Sequence, residues 1–176
     1  MQYMRVYAPV DLDAIVFNLE SMRKNIDRET GMLGVIKADA YGHGSVPVAA
    51  AIEDYVDGFA VATADEAMLL RRNGIQKMIL ILGVTHPSRY QELIENEIRP
   101  AIFTMAQAKP LSEAAVNMKK QQRSIWLWIP ACAALVLRQM NPERILQLLS
   151  VRFPALRSRA CSHIFPGPMR WRRRRL

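Results

Sequence analysis

The sequence of 176 residues contains few cysteines and no long apolar segment. Its two cysteines, Cys132 and Cys161, fit neither a disulfide framework nor a metal-binding motif. The longest nearly apolar run, residues 125–137, contains a proline and is too short for a transmembrane helix, which needs about 20 residues. The N-terminus lacks the basic and apolar regions of a signal peptide. These absences predict a cytoplasmic protein with no bound metal and no membrane partner.

Lysine and aspartate are missing after Lys120, and this absence divides the chain in two. Residues 1–120 hold 13 Lys and Arg against 15 Asp and Glu, whereas residues 121–176 hold 11 arginines against one acid, Glu143. All three tryptophans also lie in the second part. A boundary between folded domains rarely eliminates two charged residue types. The composition therefore predicts that the break near Lys120 is not an ordinary boundary between two folded domains.

Strand and helix patterns alternate along the first 120 residues. Short apolar runs typical of buried strands occur at residues 32–36, 58–62, 77–82 and 99–103. Among the intervening helices, Asp13 is placed to cap the first, Thr63 and Glu66 form a capping box, and Pro110 is expected to kink the last. The alternation predicts a parallel α/β fold, either an open sheet or the first four or so units of a (β/α)8 barrel.

Lys37 directly follows the first of these apolar runs. Catalytic residues of parallel α/β folds lie at the carboxyl ends of strands, so a lysine at this point is a candidate. Pyridoxal phosphate needs an amine that holds its aldehyde as a Schiff base, and the freed lysine can then act as a general base. Taken alone, however, a lysine after a strand is more often a solvated loop residue.

The ordered segment at residues 35–44, with the sequence VIKADAYGHG, is more specific than any of its residues alone. It resembles the motif V-x-K-A-[ND]-A-Y-G-H-G that follows the first barrel strand of alanine racemases. The similarity extends over residues 5–119, and includes FAVA at 59–62 and ILILG at 79–83. The resemblance implies that Lys37 binds pyridoxal 5′-phosphate and acts as one catalytic base, and that Tyr41 hydrogen-bonds the cofactor phosphate.

The resemblance also implies an activity, a fold and a partner. Alanine racemases interconvert L-alanine and D-alanine, which supplies D-alanine for the peptidoglycan of the cell wall. They contain a TIM-type barrel and act as homodimers, in which a tyrosine from the partner's second domain is the other base. The alternatives are other members of this barrel group: a small cofactor-binding protein, an amino-acid decarboxylase or a serine-preferring racemase. The segment YGHG at residues 41–44 favours alanine racemase over the first two.

The resemblance ends after Lys120, where the expected motif V-D-T-G-M-x-R-x-G-F is missing. When residues 128–137 are back-translated and read from the third base of each codon, the first codon is GAT, for aspartate. The following codons allow Thr-Gly-Met-[Arg or Cys]-Arg-Ile-Gly-Phe. The same shift at residues 161–171 allows Phe-Thr-His-Phe-Ser-Arg-Ala-Asp-Glu-Met, which matches a second missing motif, T-H-F-[AS]-x-A-D-E. We therefore predict that residues from about 121 onward are a frameshifted translation and form a poorly structured, non-native basic tail.

The arginine-rich end of this tail, residues 170–175, would otherwise suggest nucleic-acid binding. Its basic and aromatic residues crowd a terminal segment without the periodic placement of a folded binding module. We therefore expect no specific nucleic-acid partner. A noncatalytic product with a nonspecific polyanion-binding tail is the third hypothesis, and the leading one is a truncated, inactive racemase fragment.

Overall fold

The computed structural model describes residues 8–127 and 156–161. The described strands are β1 (Leu33–Val35), β2 (Gly58–Val61), β3 (Met78–Ile81), β4 (Arg99–Ile102), β5 (Gln122–Leu127) and β6 (Leu156–Cys161). The described helices are α1 (Leu12–Lys24), α2 (Lys37–Gly42), α3 (Ser45–Ile52), α4 (Ala64–Arg72), α5 (Tyr90–Glu95) and α6 (Met105–Asn117). Two 3₁₀ turns, Glu53–Tyr55 and Pro87–Arg89, complete the described elements.

The described strands form one sheet in which each strand lies beside its neighbour in the sequence, and each pair is parallel. A doubly wound sheet reverses its strand order at a switch point, whereas a (β/α)8 barrel keeps the order of the sequence. The unreversed order, with helices between the first five strands, confirms the predicted α/β fold as part of a TIM-type barrel.

The core lies between the sheet and the helices packed on it. All four residues of β2 are buried, which is the pattern of a central strand in a parallel sheet. Phe59 is fully buried and lies opposite Ile79 of β3 in the strand register. On its other side is Gly34 of β1, where an added Cβ would lie 3.2 Å from the Phe59 ring and 3.1 Å from Ile52. Gly34 therefore leaves the space that the phenyl ring fills.

Arg71, in the last turn of α4, links three parts of the chain. Its guanidinium donates hydrogen bonds to the backbone oxygens of Asn96 at 2.9 Å, Ile75 at 2.5 Å and Lys77 at 2.9 Å. Burial lowers the pKa of Arg71, and this effect is opposed by the charges of Glu97 and Glu53. The side chain thus joins the end of α4 to the start of β3 and to the turn after α5.

Replacing Arg71 by methionine should lower the free energy of unfolding by about 2–4 kcal/mol, because several carbonyl groups lose a charged donor. The matched control is Arg72→Met, one position further along the helix, where the side chain is exposed. We expect this control to change stability by less than about 0.5 kcal/mol. Urea denaturation of both variants measures the difference, and equal midpoints would contradict the role assigned to Arg71.

Three local predictions need correction. The cap of α1 is Asp11, whose Oδ1 accepts from the Ala14 N–H at 3.0 Å, whereas Asp13 lies inside the first turn. Asp13 still stabilises the helix there, because a negative charge is favourable near its N-terminus. The sequence also predicts a helix over residues 47–55, with Pro47 in its first turn, whereas the helix begins at Ser45 and ends in a 3₁₀ turn. The last helix, α6, continues as one element through Pro110 and ends at Asn117.

Both β5 and β6 lie within residues 121–176, for which the sequence predicts little structure. The β5 backbone pairs with β4 at Ala101 and Ile125, and with β6 along its whole length. The remainder of the predicted tail, including Cys132 and the arginine run at residues 170–175, lies outside the described residues. Within the described ranges, no helix combines the length and apolar character needed to cross a bilayer.

Candidate active site

Lys37 lies at the carboxyl end of β1, as the sequence predicts. The buried Ile36 precedes it, and the Ile36 N–H donates to the Ala60 oxygen at 3.0 Å. Pairing with β2 therefore continues up to the residue before the lysine. The Lys37 side chain is partly buried. This position, just beyond the strand ends, is where parallel α/β barrels place their catalytic groups.

The four residues after Lys37 have a left-handed backbone. Residues 38–41 have φ of 50–56° and ψ of 36–49°, and Gly42 continues with φ of 89°. Each non-glycine residue in this conformation costs roughly 1–2 kcal/mol, and such runs are rare in proteins. Backbone strain of this kind is concentrated at active sites and ligand clamps. The α2 segment is therefore a left-handed turn that must be stabilised by its surroundings.

Asp39 stabilises this turn from inside it. Its Oδ1 accepts from the Ser45 N–H at 2.6 Å, while its backbone oxygen accepts from the Gly44 N–H at 2.9 Å. Ser45 is the first residue of α3, and the residue before it is a glycine that has no side chain for capping. Asp39 thus supplies the cap of α3 from six residues away. The left-handed turn and the next helix are held together by one aspartate.

Glu66 stabilises the turn from outside it. Its Oε1 accepts from the Ala38 N–H at 2.8 Å, and its Oε2 accepts from the Ala62 N–H at 2.6 Å and the Thr63 N–H at 3.2 Å. The capping box that the sequence predicts for Thr63 and Glu66 is confirmed. The bond to Ala38 was not predicted. It joins the residue after Lys37 to the carboxyl end of β2.

Tyr41 is the last non-glycine residue of the left-handed turn. The residue is 62% exposed, so a ligand can approach it from solvent. His43 follows with its Nδ1 3.0 Å from the Ala40 oxygen. The structure thus places the two predicted site residues, Lys37 and Tyr41, on one short turn. Among the described residues, no group of three His, Cys, Asp or Glu side chains could hold a metal ion.

A sequential parallel sheet with a lysine-bearing turn beyond its first strand defines a barrel-type enzyme domain. The chain matches the family described as alanine racemase, N-terminal domain, over residues 10–130. It is 40% identical over 122 residues to alanine racemase 2 of Oceanobacillus iheyensis, covering 69% of this chain and 31% of that protein. The solved alanine racemase of Clostridium difficile 630 is similar over 84% of this chain and 39% of that one, with a TM-score of 0.74 and 30% identity. The chain belongs to the alanine racemase family, whose members are amino-acid racemases.

Further relatives point to the same family, and they too are much longer than this chain. The alanine racemase of Streptococcus equi subsp. zooepidemicus is 45% identical over 98 residues, which are 56% of this chain and 27% of the relative. The chain therefore spans less than a third of the curated relatives that it matches. The family match continues to residue 130, ten residues past the boundary predicted from composition. A histidine racemase of Leuconostoc mesenteroides, with 23% identity and a TM-score of 0.68, shares the fold.

Proposed function

We propose that this chain is the N-terminal part of a cytoplasmic alanine racemase in which Lys37 holds pyridoxal 5′-phosphate. The observation that carries the proposal is the position of Lys37. It lies at the carboxyl end of the first barrel strand, and a strained turn holds it there. The family of the chain supports alanine as the substrate, and a role in supplying D-alanine for peptidoglycan follows from that activity.

The residues around Lys37 fit this cofactor. Lys37, a partly buried residue at the strand end, carries an amine that can attach to the aldehyde, and the hydroxyl of the exposed residue Tyr41 can donate a hydrogen bond to a phosphate oxygen. When bound, pyridoxal phosphate supplies an electron sink for charge that develops at the Cα atom of the amino acid. Lys37 then holds or moves the proton of that Cα atom on one face of the substrate. Tyr41 keeps the cofactor oriented toward the lysine.

Racemisation requires two bases, because inversion needs proton transfer on both faces of the planar Cα atom. Lys37 can serve as only one of them. In the full-length family we expect the second base to come from the partner subunit of a homodimer. The arginine-containing motif that the family carries after this point is missing from residues 121–176 as they are read here. We therefore propose that the 176-residue chain is a fragment with little or no racemase activity of its own.

We further propose that the C-terminal part is a frameshifted translation. The two hidden motifs in one alternative frame support this proposal, as does the loss of Lys and Asp after Lys120. The family match beyond residue 121, together with β5 pairing beside β4, favours a frame change close to codon 128, where the first hidden motif begins. Resequencing the DNA over codons 115–135 tests this. An intact frame in which no one-base change restores the motif would refute it.

Titration of the purified chain with pyridoxal phosphate tests the proposed cofactor site. We expect an absorbance change that marks attachment of the aldehyde to an amine, and we expect Lys37→Ala to remove most of it. The matched control is Lys109→Ala, which removes an exposed lysine on α6 and should leave the signal unchanged. Equal signals from both variants would contradict the proposal. Salt-sensitive DNA binding without cofactor attachment would favour the noncatalytic alternative.

A further inference from the structure

We propose that Glu66 is a positioning residue for Lys37, because its carboxylate holds the left-handed turn that carries the lysine. This inference rests on the proposed cofactor role of Lys37. Glu66 itself need not touch the cofactor. It acts through the backbone of Ala38, the residue next to the lysine.

The two carboxylate oxygens of Glu66 accept hydrogen bonds from different parts of the chain. Oε2 accepts from the N–H groups of Ala62 and Thr63, which closes the capping box of α4 and fixes the end of β2. Oε1 is not needed for that cap, and it accepts from the Ala38 N–H, 28 residues earlier in the sequence. A glutamate that only capped its helix would not make this contact. The second oxygen therefore serves the turn that follows β1.

The chemistry of the site requires a carboxylate. Three N–H donors converge on two oxygens that only accept, so every donor has an acceptor. A glutamine at position 66 would offer one oxygen and one NH2 group. In either orientation of the amide, its NH2 group faces at least one backbone N–H. Both groups are donors, so no hydrogen bond can form there. Glu66→Gln therefore disrupts either the bond to Ala38 or the bonds at the end of β2, although its shape is almost unchanged.

The consequence for Lys37 follows from the strain of the turn. Residues 38–41 are all non-glycine residues with positive φ, a conformation that L-residues leave when external contacts are lost. Asp39 holds the far end of the turn through Ser45, and Glu66 holds the near end beside the lysine. Without Glu66, the backbone next to Lys37 gains access to right-handed or extended conformations. The amine then spends less time at the position where the cofactor attaches.

The test measures amide hydrogen exchange and pyridoxal phosphate attachment on the full 176-residue chain. We expect Glu66→Gln to speed exchange within Lys37–Gly42 by about tenfold, the size expected for loss of one charge-assisted hydrogen bond. The amide hydrogens of β3 should exchange at the same rate as in the chain without the substitution. We also expect a several-fold lower yield of borohydride-fixed cofactor at Lys37 when pyridoxal phosphate is below saturation.

Three further variants test whether Glu66 acts by positioning the turn, by capping α4 or by its charge alone. Thr63→Ala removes the hydroxyl that accepts from the Glu66 N–H at 3.3 Å but leaves the carboxylate in place, so exchange in α4 should rise and exchange in α2 should not. Asp65→Asn neutralises a neighbouring, 83% exposed carboxylate whose ion pair is with Arg89 and not with the turn, so neither α2 exchange nor the cofactor yield should change. A second variant at the same site, Glu66→Asp, keeps the charge but shortens the reach and should resemble Glu66→Gln.

Parental exchange rates in α2 of Glu66→Gln would overturn the proposal. A rise of equal size in α2 and β3 for both Glu66 variants would also overturn it, because the residue would then stabilise the whole fold. The proposed function fails in a different way. If the parent chain fixes no cofactor at Lys37, the cofactor proposal is wrong, while a selective rise in α2 exchange still establishes that Glu66 holds the turn.

Discussion

A one-base change that restores the alternative reading frame just before the end of codon 128, where the first hidden motif begins, should turn a product that we propose is inactive into a working racemase when the downstream DNA is included. Alanine racemisation should rise from background to a turnover of the order of 1–1000 s⁻¹, the ordinary range of enzymes. The physical reason is that the restored frame would encode the arginine-containing motif, and we expect the later strands and the second base of the family to follow it. Chiral analysis of L-alanine incubated with the purified product measures the change.

The controls for this experiment use the same restored protein. Lys37→Ala should lower the rate by at least about 10²–10⁴, the usual contribution of a general base, and further because the cofactor loses its attachment. Lys109→Ala should leave the rate unchanged, since that side chain is exposed on α6. L-Serine, assayed in parallel, tests the serine-preferring alternative. The frameshift proposal would be refuted if the shifted frame encodes neither hidden motif and its protein product racemises no amino acid.

Phe59→Ala should have the largest effect on stability in the described part of the chain. The side chain is fully buried in β2, with Gly34 beside it and Ile79 opposite it in the register of β3. Truncation removes a ring from a packed interior and leaves a cavity, at a cost of about 3–5 kcal/mol. Since whole domains are stable by only about 5–15 kcal/mol, we expect most of the cooperative unfolding transition to be lost at 37 °C. Circular dichroism during thermal unfolding measures this.

The matched control is Phe17→Ala on α1, where the ring is 67% exposed, and there we expect a change below about 0.5 kcal/mol. A coupled variant tests the packing more sharply. Gly34→Ala alone should destabilise, because its Cβ would lie 3.2 Å from the Phe59 ring. Added to Phe59→Ala, the same methyl group enters the cavity and should recover part of the loss. Additive effects of the two substitutions would contradict this packing.

The strands could be predicted because their apolar runs are short and continuous. The runs at residues 58–62 and 77–82 contain β2 and β3 with ends displaced by at most one residue, and Thr63 marks the start of α4. The order of the strands could not be derived from periodicity, since an open sheet and a barrel share the same alternation. The cap of α1 was misassigned because Asp11 and Asp13 are both capping residue types two positions apart.

The left-handed turn could not be predicted because local rules argue against it. Asp39, Gly42 and Gly44 tolerate positive φ, but Ala38 and Tyr41 do not favour it. What holds the turn is distant in the sequence: Glu66 lies 28 residues away from Ala38. Sequence reasoning identified Glu66 as a helix cap and missed its second role. A violation of local preference beside a predicted catalytic lysine is where such a distant contact is to be expected.

The central claim is that Lys37 is the residue that holds pyridoxal phosphate, and peptide mapping tests it most directly. The purified chain is incubated with the cofactor, reduced with borohydride, digested and analysed by mass spectrometry. The account predicts that the fixed cofactor is found on the peptide containing Lys37, and that Lys37→Ala carries no comparable label elsewhere. Label spread evenly over exposed lysines such as Lys109, with no preference for Lys37, would contradict it.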